Sequence, residues 1–419
     1  MRPVLSIFSS KARRALLICA VLALTGLGLF LLNRGLMLEE SSQRVGAFLE
    51  SEEDFDVLFF GSSHTVCGIY PVQLWQEQGI RSYNLGSHGQ SMAGSYWTMR
   101  LAVGTHKPKV AVLDVYKAGD MDTACNVSYS HWTFDAFPLS VRKWQAIRGI
   151  YPENRQAQAE LLFPFRLYHS RWDEFTSRMA YTAVGQPVAP SPMLGGEARF
   201  SITPYPEQTL VPQQAQTFRE TVGTEYALKF VEFCKENDIL PVLINLPYQA
   251  EESYQMEVNG LLAKCEEMGA ATLNFQYLDL LDPETDWDDG VDHVNQSGGR
   301  KLTAYLGQWL KQLQYDEYPG ENGWWQGWSD ANRDAAWALL EGTEDLRQML
   351  MKLYGSGFQA ALTLPADLTP DTVTEKLVRQ LGESCVVEKD DTTDVCRIRI
   401  DDGGSEREIV KTFSWQTEK

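Results

Sequence analysis

The chain has 419 residues, 44% of them apolar and 22% charged. That is ordinary globular material, which a prior of about 100–200 residues per domain divides into two or three units. Its formal net charge of −19 argues against a nucleic-acid partner, because phosphate binding needs clustered Lys and Arg to release counterions.

Ala15 to Leu32 is an uncharged run of eighteen residues, with Arg2, Lys11, Arg13 and Arg14 before it and Glu39 and Glu40 after it. Eighteen residues lie near the lower limit for a helix crossing a hydrocarbon core about 30 Å thick. The positive flank predicts a cytoplasmic tail (1–14), an anchor (15–33) and an outward-facing remainder: a single-pass protein of the cell membrane. A cleaved signal peptide is the competing reading, but Leu31-Leu32-Asn33-Arg34 supplies no small-x-small site. Cys19 is preceded by Ile18, where a lipoprotein signal has a small residue.

Residues 34–53 read as a polar, helical stalk. From Asp56 short apolar runs alternate with amphipathic segments. The runs are Val57–Phe60, Ser82–Leu85, Val110–Val115, Leu240–Leu246 and Ala271–Phe275; the segments between them are Pro71–Gln78, Ser91–Val103, Thr224–Asn237 and Glu251–Met268. Buried-looking strands alternating with helices predict an α/β fold with a doubly wound, mostly parallel five-stranded sheet over 54–313. Leu302, Tyr305, Leu306, Trp309 and Leu310 give the last helix of that unit, Ser297 to Gln314, one apolar face.

A long insertion, 117–220, separates the third and fourth strands, and a stretch of that length is a functional cap or a small subdomain. It carries His131, Trp132, Trp144, Arg166, His169, Arg171 and Trp172; as a lid over a polar substrate it would offer His169 and Arg171 for binding. A folded insertion with its own core fits the aromatics equally. A Trp-rich linker, 314–334, follows, and its Trp324, Trp325 and Trp328 are read as cement between two domains rather than as a sugar platform. The order helix, strand (Phe358–Leu364), helix (Asp371–Leu381) and β-hairpin (Cys385–Ile400) then predicts a small α/β accessory domain, 335–419.

Seven cysteines, Cys19, Cys67, Cys125, Cys234, Cys265, Cys385 and Cys396, show no C-x-x-C spacing, which excludes a zinc ribbon. Cys385 and Cys396 flank a polar turn and are read either as opposed across it or as two buried thiols.

The chemistry concentrates in three places. The first strand ends Gly61-Ser62-Ser63-His64, and a serine just past the carboxyl end of a parallel strand faces the ligand crevice of an open α/β sheet. The second strand ends Asn84-Leu85-Gly86-Ser87-His88, where glycine lets backbone N–H groups approach a developing oxyanion. Asp288-Asp289-Gly290-Val291-Asp292-His293-Val294-Asn295 precedes the last helix of the unit and returns to the same edge. Serine, N–H cradle and acid-plus-histidine thus converge as nucleophilic acyl transfer requires. Asp289 and Asp292 are both candidates for the acid, with Asp292 placed slightly ahead. His64, His88 and Asn295 are candidates for substrate contact. Two histidines with Asp289 or Asp292 also raise a zinc site, but no His-x-x-x-His pair or cysteine ligand supports it, so neither metal nor cofactor is expected.

Phe59-Phe60-Gly61-Ser62-Ser63-His64-Thr65, Tyr83-Asn84-Leu85-Gly86, Lys107 to Tyr116 and Asp292-His293-Val294-Asn295-Gln296-Ser297-Gly298-Gly299 together resemble the SGNH (GDSL-type) hydrolases. The resemblance is to their membrane-anchored branch, similar to the teichoic-acid D-alanylation protein D family and the polysaccharide O-acetylation proteins. It spans roughly Asp54 to Leu313. It implies Ser63 as nucleophile, Ser63 and Gly86 as oxyanion donors, and His293 as general base. The aspartate of Gly-Asp-Ser is Ser62 here, no Gly-x-Asn-Asp block follows Val115, and the usual acid position, three before the histidine, is Gly290.

The function implied is an extracytoplasmic serine esterase or O-acyltransferase acting on a cell-envelope polysaccharide or teichoic acid, beside a membrane-bound O-acyltransferase. The alternative is a non-catalytic binding or scaffold subunit with the same fold.

Overall fold

The structure is a computed structural model that describes residues 10–37, 41–124, 126–174, 176, 179–180, 190–318, 322–402 and 407–413. Arg2, Glu39, Glu40 and Cys125, and the side chain of Trp172, lie outside the described residues.

Five strands, β1 (Val57–Phe60), β2 (Ser82–Asn84), β3 (Val110–Asp114), β4 (Leu240–Asn245) and β5 (Ala271–Asn274), form an all-parallel sheet in the order β2-β1-β3-β4-β5. Side chains on a strand alternate between faces, so the central runs feed two cores at once. Leu58, Phe60, Ala111 and Leu113 enter one core, while Val57, Phe59, Val110 and Val112 enter the other. Burial on both faces explains why these strands read as unbroken apolar runs. Helices Met92–Ala102, Val222–Glu236 and Glu252–Glu267 cover the first face. Helix Gln296–Leu310 covers the second through Leu302, Leu306 and Leu310. The strand order reverses between β1 and β3, the switch point where open α/β sheets bind ligands beyond their carboxyl ends.

The N-terminal helix runs Ser10–Leu36, and its stretch from Lys11 to Leu36 is long and apolar enough to cross a membrane. The stalk differs from the polar spacer expected. A π-helical turn, Ser42–Gly46, and a one-turn helix, Ala47–Glu50, pack Val45 and Phe48 into the first core, and the Tyr83 hydroxyl donates to the Arg44 carbonyl at 2.8 Å. Valine and phenylalanine three residues apart share one helical face, which outweighs the polar average of the segment.

The insertion contains helices Val127–Phe134, Val141–Ile150, Arg155–Leu162 and Phe165–Tyr168, whose Phe134, Ala146, Ile147, Ile150, Ala157 and Leu161 extend the first core. Its last short helix and the 3-10 turn His169–Glu174 pack on the N-terminal helix, where Arg171 donates to the Leu36 carbonyl at 2.7 Å.

The Trp-rich segment is not a linker in structure. A helix spans Gly323–Glu341, and its buried Trp325 packs on Trp75, with ring centroids 5.6 Å apart, and on Phe55 at 5.8 Å. Beyond it β6 (Gln359–Pro365), β7 (Cys385–Asp390), β8 (Cys396–Asp401) and β9 (Glu408–Phe413) form a mixed sheet over a separate core. The expected hairpin Cys385–Ile400 is corrected: β7 runs parallel to β6 on one side, β8 antiparallel on the other, and the hairpin is β8–β9. With β6 between them, Cys385 and Cys396 do not face each other, and both are free. Helix Thr372–Leu381 ties this unit to the loop after β5. Lys376 pairs with Asp282 at 3.0 Å, and the Ser297 hydroxyl donates to Gln380 Oε1 at 2.8 Å.

Candidate active site

Ser63 opens the short helix Ser63–Gly68 directly beyond β1. The turn that aims it depends on Gly61, whose φ is +153°; a Cβ there would lie 2.1 Å from Thr65 Oγ1 and 3.0 Å from Asp114 Cβ. Only glycine combines that backbone conformation with that approach.

The histidine arrives on a pinched loop. Trp287 and Val294 form an antiparallel bridge, Asp288 N–H donates to the His293 carbonyl at 2.9 Å, and the turn passes through Gly290 at φ +69°. This closure folds Asp289 back onto His293. Asp289 Oδ1 accepts the backbone N–H groups of Val291, Asp292 and His293 at 2.9–3.0 Å, while Oδ2 meets His293 Nδ1 at 2.5 Å. The opposite ring nitrogen, Nε2, lies 2.8 Å from Ser63 Oγ. A carboxylate only accepts, so the Nδ1 proton points at Asp289 and Nε2 is left to accept the serine proton. Burial alone would raise the Asp289 carboxyl, but the hydrogen bonds from His293, Val291 and Asp292 outweigh it and hold the group far below the usual carboxylate range.

The slight preference for Asp292 as the acid is therefore corrected. Asp292 Oδ2 accepts the Tyr116 hydroxyl at 3.0 Å, and Asp289 holds the ring. Adjacent side chains on a turn diverge, whereas four residues and a glycine let Asp289 reach back.

Gly86 N–H, an expected oxyanion donor, donates to Asn84 Oδ1 at 3.0 Å; the Asn84 amide in turn holds the Thr65 and Ile69 carbonyls at 2.7 and 3.0 Å. The Ser63 N–H lies in the first turn of its helix, where backbone donors have no intrahelical partner. Asn295 is not a substrate group either. It is fully buried, caps helix Gln296–Leu310 through Ser297 and Gly298 N–H, and donates to the Ser201, Thr285 and Trp287 carbonyls. His169 and Arg171 belong to the contact with the N-terminal helix: His169 Nδ1 meets the Arg166 carbonyl at 2.7 Å, and Arg171 is committed to Leu36.

His64 is buried with neither ring nitrogen bonded; it stacks on Tyr116 with centroids 3.6 Å apart and stands 5.3 Å from the His293 ring. Burial, reinforced by His293, pushes it far below the usual imidazole range, so it packs as a neutral ring. His88 pairs with Glu197 at 3.0 Å, and Glu197 also meets Arg199 at 3.1 Å. Among the described residues no group of three or more His, Cys, Asp and Glu is disposed to hold a metal ion.

No family model and no curated protein matches this chain.

Tyr116, Glu197 and Asp114 escaped the sequence reading. Glu197 lies in a segment without periodicity and gave no signal; Asp114, ending an apolar strand at the carboxyl edge, could have been flagged. Its Oδ1 accepts Leu246 N–H at 3.3 Å, its Oδ2 is buried and unpartnered, and burial pushes the carboxyl up to about 7. Between about pH 4 and 7 the folded chain thus keeps a proton that the unfolded chain has released, so stability falls as pH rises across that window. Asp114→Asn should flatten this slope. Urea unfolding at pH 5 and pH 8 is expected to show the wild type losing on the order of 2–4 kcal/mol more than the variant over that interval. Equal losses would mean that Asp114 is ionised throughout.

Proposed function

We propose that this chain is a membrane-anchored serine esterase or O-acyltransferase of the SGNH type, working outside the cytoplasm on O-acyl groups of an envelope polysaccharide or teichoic acid. The observation that carries the reading is the Ser63–His293–Asp289 relay, with 2.8 Å and 2.5 Å contacts at the switch point of a parallel sheet. In the reaction Ser63 Oγ gives its proton to His293 Nε2 and bonds to the ester carbonyl carbon. The Ser63 N–H steadies the oxyanion. His293 then protonates the leaving alkoxide as the C–O bond breaks, and water or a glycan hydroxyl releases the acyl group by the same steps reversed. The four basic residues before the span support an outward-facing site. The resemblance to O-acetylation and D-alanylation proteins supports a membrane-bound O-acyltransferase as supplier of acyl groups.

A scaffold subunit is the second reading, and the Gly86 N–H held by Asn84 favours it. An aryl phosphonofluoridate separates the two. An activated Ser63 forms an Oγ–P bond, fluoride leaves and His293 takes the proton. Mass analysis of the native full-length chain is expected to find the adduct on the Ser63 peptide, and to find none on a chain heat-denatured before the reagent is added. A native chain without the adduct would favour the scaffold.

A further inference from the structure

The insertion carries more exposed apolar surface than a face turned to water needs, and that surface adjoins the membrane end of the N-terminal helix. Val141, Leu139 and Phe163 are 71%, 63% and 57% exposed, and Trp144 and Leu167 are exposed with them. Val141 and Trp144 are three apart on helix Val141–Ile150 and so share a face. A cavity of about 330 Å³ joins the patch to the helix, lined by Phe30, Asn33 and Met37 on one side and by Pro138, Leu139 and Leu162 on the other. Asn33 and Arg34 follow the last residue of the apolar run, which sets their depth at the boundary between hydrocarbon and water. Leu139 lines the same cavity and so stands near that level.

Charge gives an independent observation. Residues 139–171 hold six Lys and Arg against two Glu, a net +4 inside a chain of −19, and of the six only Lys143 is buried. Arg142, Arg148, Arg155 and Arg166 are exposed. The Arg148 guanidinium lies 4.8 Å from the Trp144 ring centre. Exposed leucine, valine, phenylalanine and tryptophan beside basic residues is the composition of a surface that lies in the headgroup layer.

We propose that this face of the insertion is a lipid-binding surface that dips into the headgroup layer of an anionic leaflet beside the N-terminal helix. The proposal rests on that helix crossing the membrane. The insertion then holds the sheet in one orientation to the bilayer, where a single flexible tether would let it tumble.

Depth measurement tests it on the full-length chain in floated vesicles of phosphatidylcholine and phosphatidylglycerol. A fluorophore is placed on Val141→Cys, Phe163→Cys or Gln308→Cys, each in a Cys19→Ser, Cys125→Ser background; the other cysteines are buried. Gln308 is exposed on helix Gln296–Leu310, across the sheet from the insertion. Lipids brominated on the acyl chains are expected to quench the Val141 and Phe163 labels several-fold more than the Gln308 label, and more strongly as phosphatidylglycerol is raised. Equal quenching at all three sites in vesicles that carry the chain overturns the surface and leaves the anchor standing. Labels covered only when membrane proteins are added back overturn it in favour of a protein partner. A chain that fails to float with the vesicles overturns the anchor and the surface together.

Discussion

Ser63→Ala is expected to lower the turnover of p-nitrophenyl acetate by four or more orders of magnitude. The argument is one of parts acting as a unit: without Oγ, the proton acceptor at 2.8 Å and the carboxylate behind it have nothing to activate. Ser63 is half-buried at the first position of a helix whose other side chains make the core contacts, so the variant should fold with an unchanged melting temperature. A decline of only a few-fold in a folded variant would remove Ser63 from the chemistry, since removing a nucleophile does not cost so little.

Asp289→Asn is the second large effect. The amide keeps the shape of the side chain, and its oxygen can still accept the Val291, Asp292 and His293 N–H groups. What it loses is the charge that fixes the ring tautomer and stabilises the imidazolium, a loss worth about 10⁴-fold where the same geometry has been dissected in serine proteases. Asp292→Asn should keep most of the activity, because its carboxylate meets the Tyr116 hydroxyl instead. Turnover of both variants against pH, beside their melting curves, makes the comparison. If Asp292→Asn is the slower enzyme, the two roles exchange. If neither slows, Ser63 and His293 work as a dyad. Asp289 also links stability to pH: its depressed carboxyl contributes above the ordinary carboxylate range and is lost as pH falls through it. Acid unfolding of Asp289→Asn should accordingly be shallower than that of the wild type.

The three central strands of the parallel sheet were legible because each one serves two cores, and a run such as Val57-Leu58-Phe59-Phe60 has no other economical explanation. Ser63 and His293 were legible for a related reason, since topology alone brings the end of β1 and the loop before the last helix of the unit to one edge. The acid was not, because choosing Asp289 over Asp292 depends on the Trp287–Val294 bridge and the Gly290 turn, which no local pattern announces. Gly86 was misjudged because its N–H is taken by a side chain two residues away, a rotamer choice invisible in sequence. Tyr116 meets Asp292 across 176 residues, and His169 and Arg171 were drawn to the nucleophile by composition when the structure uses them beside Leu36. In the C-terminal unit, the turn signal at Asp390-Asp391-Thr392-Thr393 is genuine, but β6 enters between the strands it joins, and that pairing is long-range.

Arg44 donates through Nη1 to the Gly86 carbonyl at 3.0 Å, and Gly86 lies against Ser62 and Thr65, on either side of Ser63. Only seven residues, 37–43, separate Arg44 from Leu36, the last residue of the N-terminal helix, so even fully stretched the eight steps between them reach about 28 Å. That short leash sets an effective concentration. For the membrane-anchored esterase proposed above, esters held at the bilayer surface would be met at high local density, by search in two dimensions, while those farther out than the leash extends would be met only if their polymer bends down to the membrane. In that reading reach, as much as pocket chemistry, selects the substrate: lengthening residues 37–43 with a flexible spacer, together with loss of the Arg171 contact to Leu36, should let distant esters compete with near ones without any change at Ser63.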